Sequence, residues 1–399
     1  PKNGGSGSSE LPGPPIYRKE IVIMDVSVRL RFLSEPDMIK AGVMDMDGCL
    51  EAVSDSFALI AKGDYLMGGP SENDHGHLIW FPPKPRGPRM PVAGPDRRFM
   101  AMVAYLGGDY HICGEKWYGS NIANREIGLP RSIHSVILND PDNVKPLAFM
   151  SGNLLSQMRT GAVPGVASKY LARSGAETLG IIGAGMVGKT ALLGISAAVK
   201  TLKRVYIYDV FESASEKFLQ YAEKEIGIEG VIVHTMEDAV KDMDIVHIAA
   251  SGEKLPAINT NHLKKGALLC LTGAAEFINE DWINDCSIYA DNWKLHQAFI
   301  HEMDYPREGI RDEILSWAPS APVIDAVYKG KLSGDTIKSV GDVIIGNAPA
   351  RVNPDDKIIF ITSGMAVEDV AWGKKILERA NKENIGQILT FWDKQYWLK

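Results

Sequence analysis

The feature that most restricts this chain is a series of short, almost wholly apolar runs: Thr178 to Ile182, Val205 to Tyr208, Val231 to His234, Ile245 to Ala249, Ala267 to Leu271 and Ile288 to Ala290. Runs this brief and this continuously apolar suit strands buried on both faces. Helical patterns separate the first members, and that alternation predicts an α/β fold with a doubly wound parallel sheet. The first run leads directly into Gly183-Ala184-Gly185-Met186-Val187-Gly188. In a strand-to-helix turn each of these glycines has a mechanical task. Gly183 permits the tight turn, Gly185 lets backbone N–H groups approach a pyrophosphate, and Gly188 lets helix and strand pack closely. The helix opening near Met186 then turns its positive end toward the anion. Asp209 closes the second run, where a carboxylate can accept hydrogen bonds from an adenosine ribose. It is followed by Val210, Phe211 and Glu212 rather than an arginine that could hold a 2′-phosphate, so NAD is expected over NADP.

The flanking regions read as mixed α and β. Val26 to Phe32 alternates like a strand, and Glu35 to Ala61 carries a helical rhythm behind the cap-like Ser34-Glu-Pro-Asp37. Met67 to Pro95 is rich in Gly, Pro, His and Arg and reads as a long irregular loop. Strands are predicted around Phe99 to Tyr105, His111 to Trp117 and Ser132 to Leu138. The last joins Pro146 to Met150 through the turn chemistry of Asn139-Asp-Pro-Asp-Asn143. Leu154 to Arg173 reads as a helix despite Pro164, and a second helix runs from Trp293 to about Met303. The strand Lys357 to Thr362 and the helix Met365 to Asn381 stand outside the alternating series and are expected to return to the first region. The expected division is therefore a Gly/Ser/Pro-rich added linker or tag without order over 1–15, a second α+β domain from 16–155 plus 345–399, and the Rossmann domain over 156–344.

A formal net charge of -7 and the lack of any dense Lys/Arg run argue against nucleic acid or an anionic membrane surface as partner. No apolar stretch is long enough to span a bilayer. Cys49, Cys113, Cys270 and Cys286 are scattered without metal-ligand spacing or a disulfide framework, which fits a reducing compartment and a cytoplasmic location. His75 and His77 lack a third ligand, His111 stands alone, and no metal is expected.

With these elements placed, four segments become informative together: Gly114-Glu-Lys116-Trp-Tyr-Gly-Ser-Asn121, Met158-Arg159-Thr160-Gly-Ala-Val-Pro-Gly165, the glycine fingerprint, and Ser363-Gly-Met-Ala-Val-Glu-Asp369. In order and spacing they resemble the ornithine cyclodeaminase/mu-crystallin family over the chain from about Ile21. Ala104-Tyr-Leu-Gly-Gly-Asp109, Lys116-Trp117 and Asp291-Asn-Trp293 look most similar to the branch that holds the opine-type N-(2-amino-2-carboxyethyl)-L-glutamate dehydrogenase of 2,3-diaminopropionate synthesis. The resemblance implies an NAD-dependent enzyme moving hydride between nicotinamide and the α-carbon of an amino acid, an opine-type N-substituted amino acid or its imine. It implies a substrate domain that pairs into a homodimer. Lys116 is placed near the substrate carboxylate and the reacting carbon, Arg159 on that carboxylate, Thr160 against the cofactor and Ser363 near the nicotinamide, though a serine there can equally be an N-cap. An upstream arginine also belongs on the carboxylate; of Arg86, Arg89 and Arg98, Arg89 is favoured. Asp291, ending the last run, can handle a proton, bind a substrate amine or cap the following helix.

Two departures bear on the chemistry. Cyclodeaminase members carry acids where this chain has Ala275 and Met100, although Glu276 lies one position away. Loss of those proton handlers favours a dehydrogenase or imine reductase. The alternatives are a cyclodeaminase that recycles its NAD within each turnover, and a mu-crystallin-like ketimine reductase or binding protein.

Overall fold

The computed structural model describes residues 26–250, 254–394 and 396; the linker expected over 1–15 and the opening residues of the region from 16 lie outside the described residues. The apolar runs pair side by side. In spatial order the strands are Glu229–Ile232, Arg204–Tyr208, Thr178–Ile182, Ile245–Ile248, Leu268–Leu271, Lys357–Ile361, Cys286–Ala290 and Lys338–Ser339, and every pairing is parallel. From Thr178–Ile182 the chain first steps outward to one side and then returns to Ile245–Ile248 on the other. The glycine turn after Ile182 therefore lies at the point where strand order reverses, where open α/β sheets hold their ligands.

One expectation is corrected here. Lys357–Ile361 does not return to the first region but pairs between Leu268–Leu271 and Cys286–Ala290, with Ile358, Ile359, Phe360 and Ile361 fully buried. Its composition is that of its neighbours; only its distance along the chain hid the relationship. The helix that follows, Ala366–Glu383, does cross over and packs on the first sheet.

That first sheet runs Gln387–Trp392, Val28–Leu33, Pro146–Ser151, Ser132–Asn139, Ile112–Ser120, Arg98–Leu106 and Tyr65–Met67, with His77–Trp80 also pairing with the Arg98 strand. Strand alternation sorts its two faces. Met100, Met102, Val136, Leu138, Ala148 and Met150 are buried in one core with residues of the helices Met46–Lys62, Asn153–Leu171 and Ala366–Glu383. Phe99, Val103, Trp117, Ile133 and Phe149 stand exposed on the other. His77–Trp80 lies inside the stretch expected to be irregular, and the helix expected from Glu35 divides at Gly42 (φ 83°) into Glu35–Lys40 and Met46–Lys62. Ser34 caps the first as its sequence suggests, accepting from Asp37 N while the Asp37 carboxylate accepts from Ser34 N. Three short helices, Ile310–Trp317, Ala321–Tyr328 and Val340–Ile344, lie between the helix Trp293–Glu302 and the strand Lys357–Ile361. Among the described residues no helix is long and apolar enough to cross a membrane.

The two sheets are locked together where Asn153–Leu171 crosses Met186–Ala198. A Cβ on Gly161 would lie 2.2 Å from Thr190 O, and one on Gly194 would lie 2.1 Å from Gly161 O. The helices thus meet backbone to backbone, which only glycine allows. Gly161→Ala should force them apart and lower unfolding free energy by about 1–3 kcal/mol, measured as a shifted urea midpoint at unchanged slope. Unchanged stability would show that the crossing yields without cost.

Candidate active site

The glycine turn has the form of an anion cradle. Gly183 holds φ 105°, and a Cβ there would sit 2.5 Å from Ala250 N; Gly188 closes the helix onto the strand, its would-be Cβ 2.3 Å from Gly183 O. Gly185 is the N-cap of Met186–Ala198 without any side-chain cap, and nothing lies within 4 Å of its would-be Cβ. The first N–H groups of that helix are therefore left to an outside acceptor. Ala184 is buried, while Met186 and Val187 expose their side chains at the mouth. The Asp209 carboxylate is fixed beside the turn, accepting from Ala184 N at 2.7 Å and Phe211 N at 2.9 Å. An uncapped helix end, open space above Gly185 and a fixed carboxylate fit the pyrophosphate and ribose of a dinucleotide.

A second group of charges is buried between the two sheets. Lys116 lies on the covered face of Ile112–Ser120, with Nζ 2.8 Å from Asp369 Oδ2 and 3.4 Å from Ser156 Oγ. From Asn153–Leu171, Arg159 donates through Nε to Asp369 Oδ1 at 3.1 Å and through Nη1 to Glu368 Oε2 at 2.7 Å. Asp369 thereby bridges both cations, and Glu368 and Asp369 are 0% exposed. Burial alone would raise the Asp369 pKa, but Arg159 and Lys116 hold it below its ordinary value. Burial lowers the Lys116 pKa to about 8, helped by the Arg159 charge and opposed by Asp369. Burial would also lower that of Arg159, yet Asp369 and Glu368 raise it, so the guanidinium stays charged. Glu368 is pushed up to about 7 by burial, which Arg159 only partly offsets, and its Oε1 has no hydrogen-bond partner among the described residues. The cluster can grip a carboxylate with the remaining guanidinium donors and exchange protons near neutral pH at Lys116 and Glu368.

Aromatic and imidazole groups surround it. His75 Nδ1 lies 3.0 Å from Gly364 O, and its ring packs 5.8 Å from Phe299 and 6.0 Å from Trp317. Burial, reinforced by Lys116 and Arg159, lowers its pKa to about 3, so it is neutral. His134, 4.8 Å from the Tyr118 ring, is lowered to about 3 by burial and then Lys116. The Tyr118 ring also lies 5.6 Å from Lys116 Nζ and 5.9 Å from the Arg98 guanidinium.

Lys116 and Arg159, singled out from the sequence, are brought together; Thr160 follows on the same helix, its hydroxyl donating to Ser156 O at 2.7 Å. Arg89 and Arg86 are placed on the exposed loop, outside the cluster. Arg98 is paired with Asp96 and lies over the same Tyr118 ring that faces Lys116. Ala275 and Met100 are both buried, and the Tyr118 hydroxyl lies 3.1 Å from Met100 Sδ. Glu276 is exposed, lining a separate cavity of about 380 Å³ with Trp282 and Lys331. Asp291 is fully buried and does not cap its helix, since Asn292 does so by accepting from Lys294 N. Glu368 and Asp369 were visible only as part of a motif; two adjacent acids within the otherwise apolar first two turns of a helix were the available signal. His75 shows in the sequence only as half of a metal pair lacking a third ligand, and nothing there marks His134 or His296.

The model of the ornithine cyclodeaminase/mu-crystallin family matches residues 43–384. The chain belongs to that family. It is 28% identical over 298 residues to the N-((2S)-2-amino-2-carboxyethyl)-L-glutamate dehydrogenase of Staphylococcus aureus, covering 74% of this chain and 82% of that one. It is 27% identical over 350 residues to the alanine dehydrogenase of Archaeoglobus fulgidus, covering 88% and 95%. Among solved structures, an archaeal alanine dehydrogenase dimer with bound NAD superposes with TM-score 0.73 at 24% identity, covering 91% of this chain and 100% of that one. The Thermococcus litoralis Δ1-pyrroline-2-carboxylate reductase, in complex with NADH and L-proline, gives 0.72 at 23%, covering 90% and 99%. These two likenesses establish the fold. The homologues of this family member include amino-acid dehydrogenases and imine reductases.

The buried Glu368 makes stability depend on pH. The folded protein keeps this proton up to about pH 7 whereas the ordinary carboxyl value is 4.5, so its contribution is full below pH 4.5 and is lost as pH rises to about 7. Glu368→Gln should flatten that part of the stability profile, measured by urea denaturation at several pH values; an unaltered slope would count against a protonated Glu368.

Proposed function

We propose that the protein is an NAD-dependent oxidoreductase that moves hydride between the nicotinamide ring and the α-carbon of an amino acid, an opine-type N-substituted amino acid or the corresponding imine. The observation that carries this is the placement of the Lys116–Asp369–Arg159 cluster relative to the glycine cradle. Arg159 abuts the corner after strand Lys357–Ile361, where a Cβ on Gly364 would sit 2.5 Å from its Nη1. That strand lies three places along the sheet from Thr178–Ile182, about 14 Å at ordinary strand spacing. A dinucleotide extended across the strand ends can therefore have its pyrophosphate at Gly185 and its reactive ring near the cations.

Glycines 183, 185 and 188 with Asp209 would hold NAD, which when bound supplies the hydride acceptor or donor. The protein's own part is positional and protonic. Arg159 fixes the substrate carboxylate and Asp369 fixes Arg159 and Lys116, so the carbon beside that carboxylate has one orientation. Forming a carbon–nitrogen double bond requires the substrate nitrogen to shed a proton. Lys116 and Glu368, with pKa values near 8 and 7, are the groups able to take or return it at neutral pH. The apolar, buried Ala275 and Met100 leave the cyclodeamination acids unreplaced, which supports net oxidation or reduction. The exposed apolar sheet face of Phe99, Val103, Trp117, Ile133 and Phe149 supports a homodimer, and the four scattered cysteines support a cytoplasmic location.

A panel of amino acids and of keto-acid and amine pairs, followed by NADH absorbance and product mass spectrometry, tests the reading. Net NADH turnover with an open-chain product is expected; a cyclised product without net NADH would overturn it. Lys116→Ala and Arg159→Lys should each lower kcat/KM by about 100-fold or more, with folding checked by circular dichroism. Asp209→Ala should shift the NAD over NADP preference by about tenfold toward NADP, measured as the ratio of the two kcat/KM values.

A further inference from the structure

Behind the cluster runs a second, wholly buried polar chain that the chemistry above does not use. His296 Nε2 lies 2.9 Å from Asp291 Oδ1, and His296 Nδ1 lies 2.9 Å from Ser320 Oγ. The other Asp291 oxygen accepts from Thr362 Oγ1 at 2.6 Å and from Ser363 N at 2.9 Å. His296, Asp291 and Ser320 are each 0% exposed. Burial would raise the Asp291 pKa, but His296 and Thr362 hold it below the usual value, so Asp291 is a carboxylate and His296 Nε2 is the donor.

This arrangement is not simply the cap of Trp293–Glu302, which is the Asn292 side chain, although Asp291 Oδ1 also accepts from Asn292 N at 2.7 Å and so steadies the start of that helix. Nor is a fully buried Asp–His pair an efficient source of stability, since its desolvation cost offsets much of its attraction and apolar groups of similar shape serve as well. What the chain does reach is the corner Thr362–Ser363–Gly364. That corner ends strand Lys357–Ile361, touches Arg159 through Gly364, and accepts from His75 at Gly364 O. The Ser363 hydroxyl is itself buried and has no hydrogen-bond partner among the described residues. A buried hydroxyl without a partner is costly unless a ligand completes it. It belongs to the residue before Gly364, at the end of a strand three places along the sheet from the one that leads into the glycine cradle, and the polar substituent of a nicotinamide ring is a carboxamide able to both donate and accept.

We propose that His296 is a positioning residue for the dinucleotide end of the site. By holding Asp291 it holds the Thr362–Ser363 corner, so that the Ser363 hydroxyl meets the carboxamide of the bound ring, with Ser320 anchoring the imidazole from behind. This rests on the dinucleotide reading given above. It assigns His296 no proton transfer to substrate and places its effect on cofactor binding rather than on the amino-acid carboxylate.

The experiment compares wild type, His296→Leu, His296→Gln, Ser320→Ala and Ser363→Ala by NADH fluorescence titration, by steady-state kinetics and by circular dichroism melting. ¹⁵N-histidine NMR of the dinucleotide-free protein is the readout independent of turnover. It should show a protected Nε2–H imidazole signal that disappears in His296→Leu. His296→Leu and Ser363→Ala should each weaken NADH binding by about tenfold while the KM for the amino acid stays near wild type. His296→Gln, which keeps a donor for Asp291, should restore affinity to within about threefold. Folded His296→Leu with wild-type NADH affinity would overturn the proposal, as would equal losses in the Gln and Leu variants. Unchanged affinity in Ser363→Ala overturns the proposal in any case; if His296→Leu does not fold, His296→Asn, polar but too short to hold Asp291, takes its place, about a tenfold loss at unchanged amino-acid KM supporting the proposal and unchanged affinity overturning it. Wild-type protein that binds no NADH would instead overturn the oxidoreductase reading itself.

Discussion

One carboxylate organises the chemistry of this protein. Asp369 accepts from Lys116 on one sheet and from Arg159 on the helix that crosses to the other. Two cations buried within reach of a common site repel each other and resist desolvation, so neither could be held there alone. Asp369 makes the pair tolerable and leaves a local excess of positive charge that an incoming carboxylate can neutralise. Glu368, its neighbour on the first turn of the same helix, is pushed up to about 7 chiefly by its own burial, with Arg159 opposing and Asp291 and Asp369 adding smaller contributions.

The cofactor half of the fold was legible because its signals are local. Gly183, Gly185 and Gly188 each answer a steric demand within a few residues, and Asp209 follows from strand length. The central strand Lys357–Ile361 was assigned to the wrong layer for the opposite reason: nothing near it in the chain reveals which sheet its apolar residues complete. The same limit applies to Gln387–Trp392, an exposed edge strand whose partner Val28–Leu33 lies at the far end of the described chain.

The site divides along the same line. Lys116 and Arg159 were found through motif resemblance, since an isolated Lys or Arg carries no sign of burial. Arg89 was favoured among Arg86, Arg89 and Arg98 beside a loop whose register the sequence did not fix; Arg89 lies exposed on that loop and Arg98 lies over Tyr118. His75 showed only as half of a metal pair without a third ligand, and His134 and His296 gave no signal at all, because an imidazole is defined by what packs against it: Phe299 and Trp317 for the first, Tyr118 for the second, Asp291 and Ser320 for the third.

The position of Lys357–Ile361 has a consequence for how the molecule is made. A ribosome delivers this strand after every other member of its sheet, yet it belongs between two of them. Until it emerges, Leu268–Leu271 and Cys286–Ala290 have a gap the width of one strand and unpaired edges facing it, the condition that invites association with other nascent chains. Closure of the sheet is therefore a late, long-range event, and the helix that carries Glu368 and Asp369 is synthesised only after it. The last strand of the sheet and the carboxylate that tames the two cations thus arrive together, so that a truncated chain would carry the glycine cradle without a completed place for its substrate.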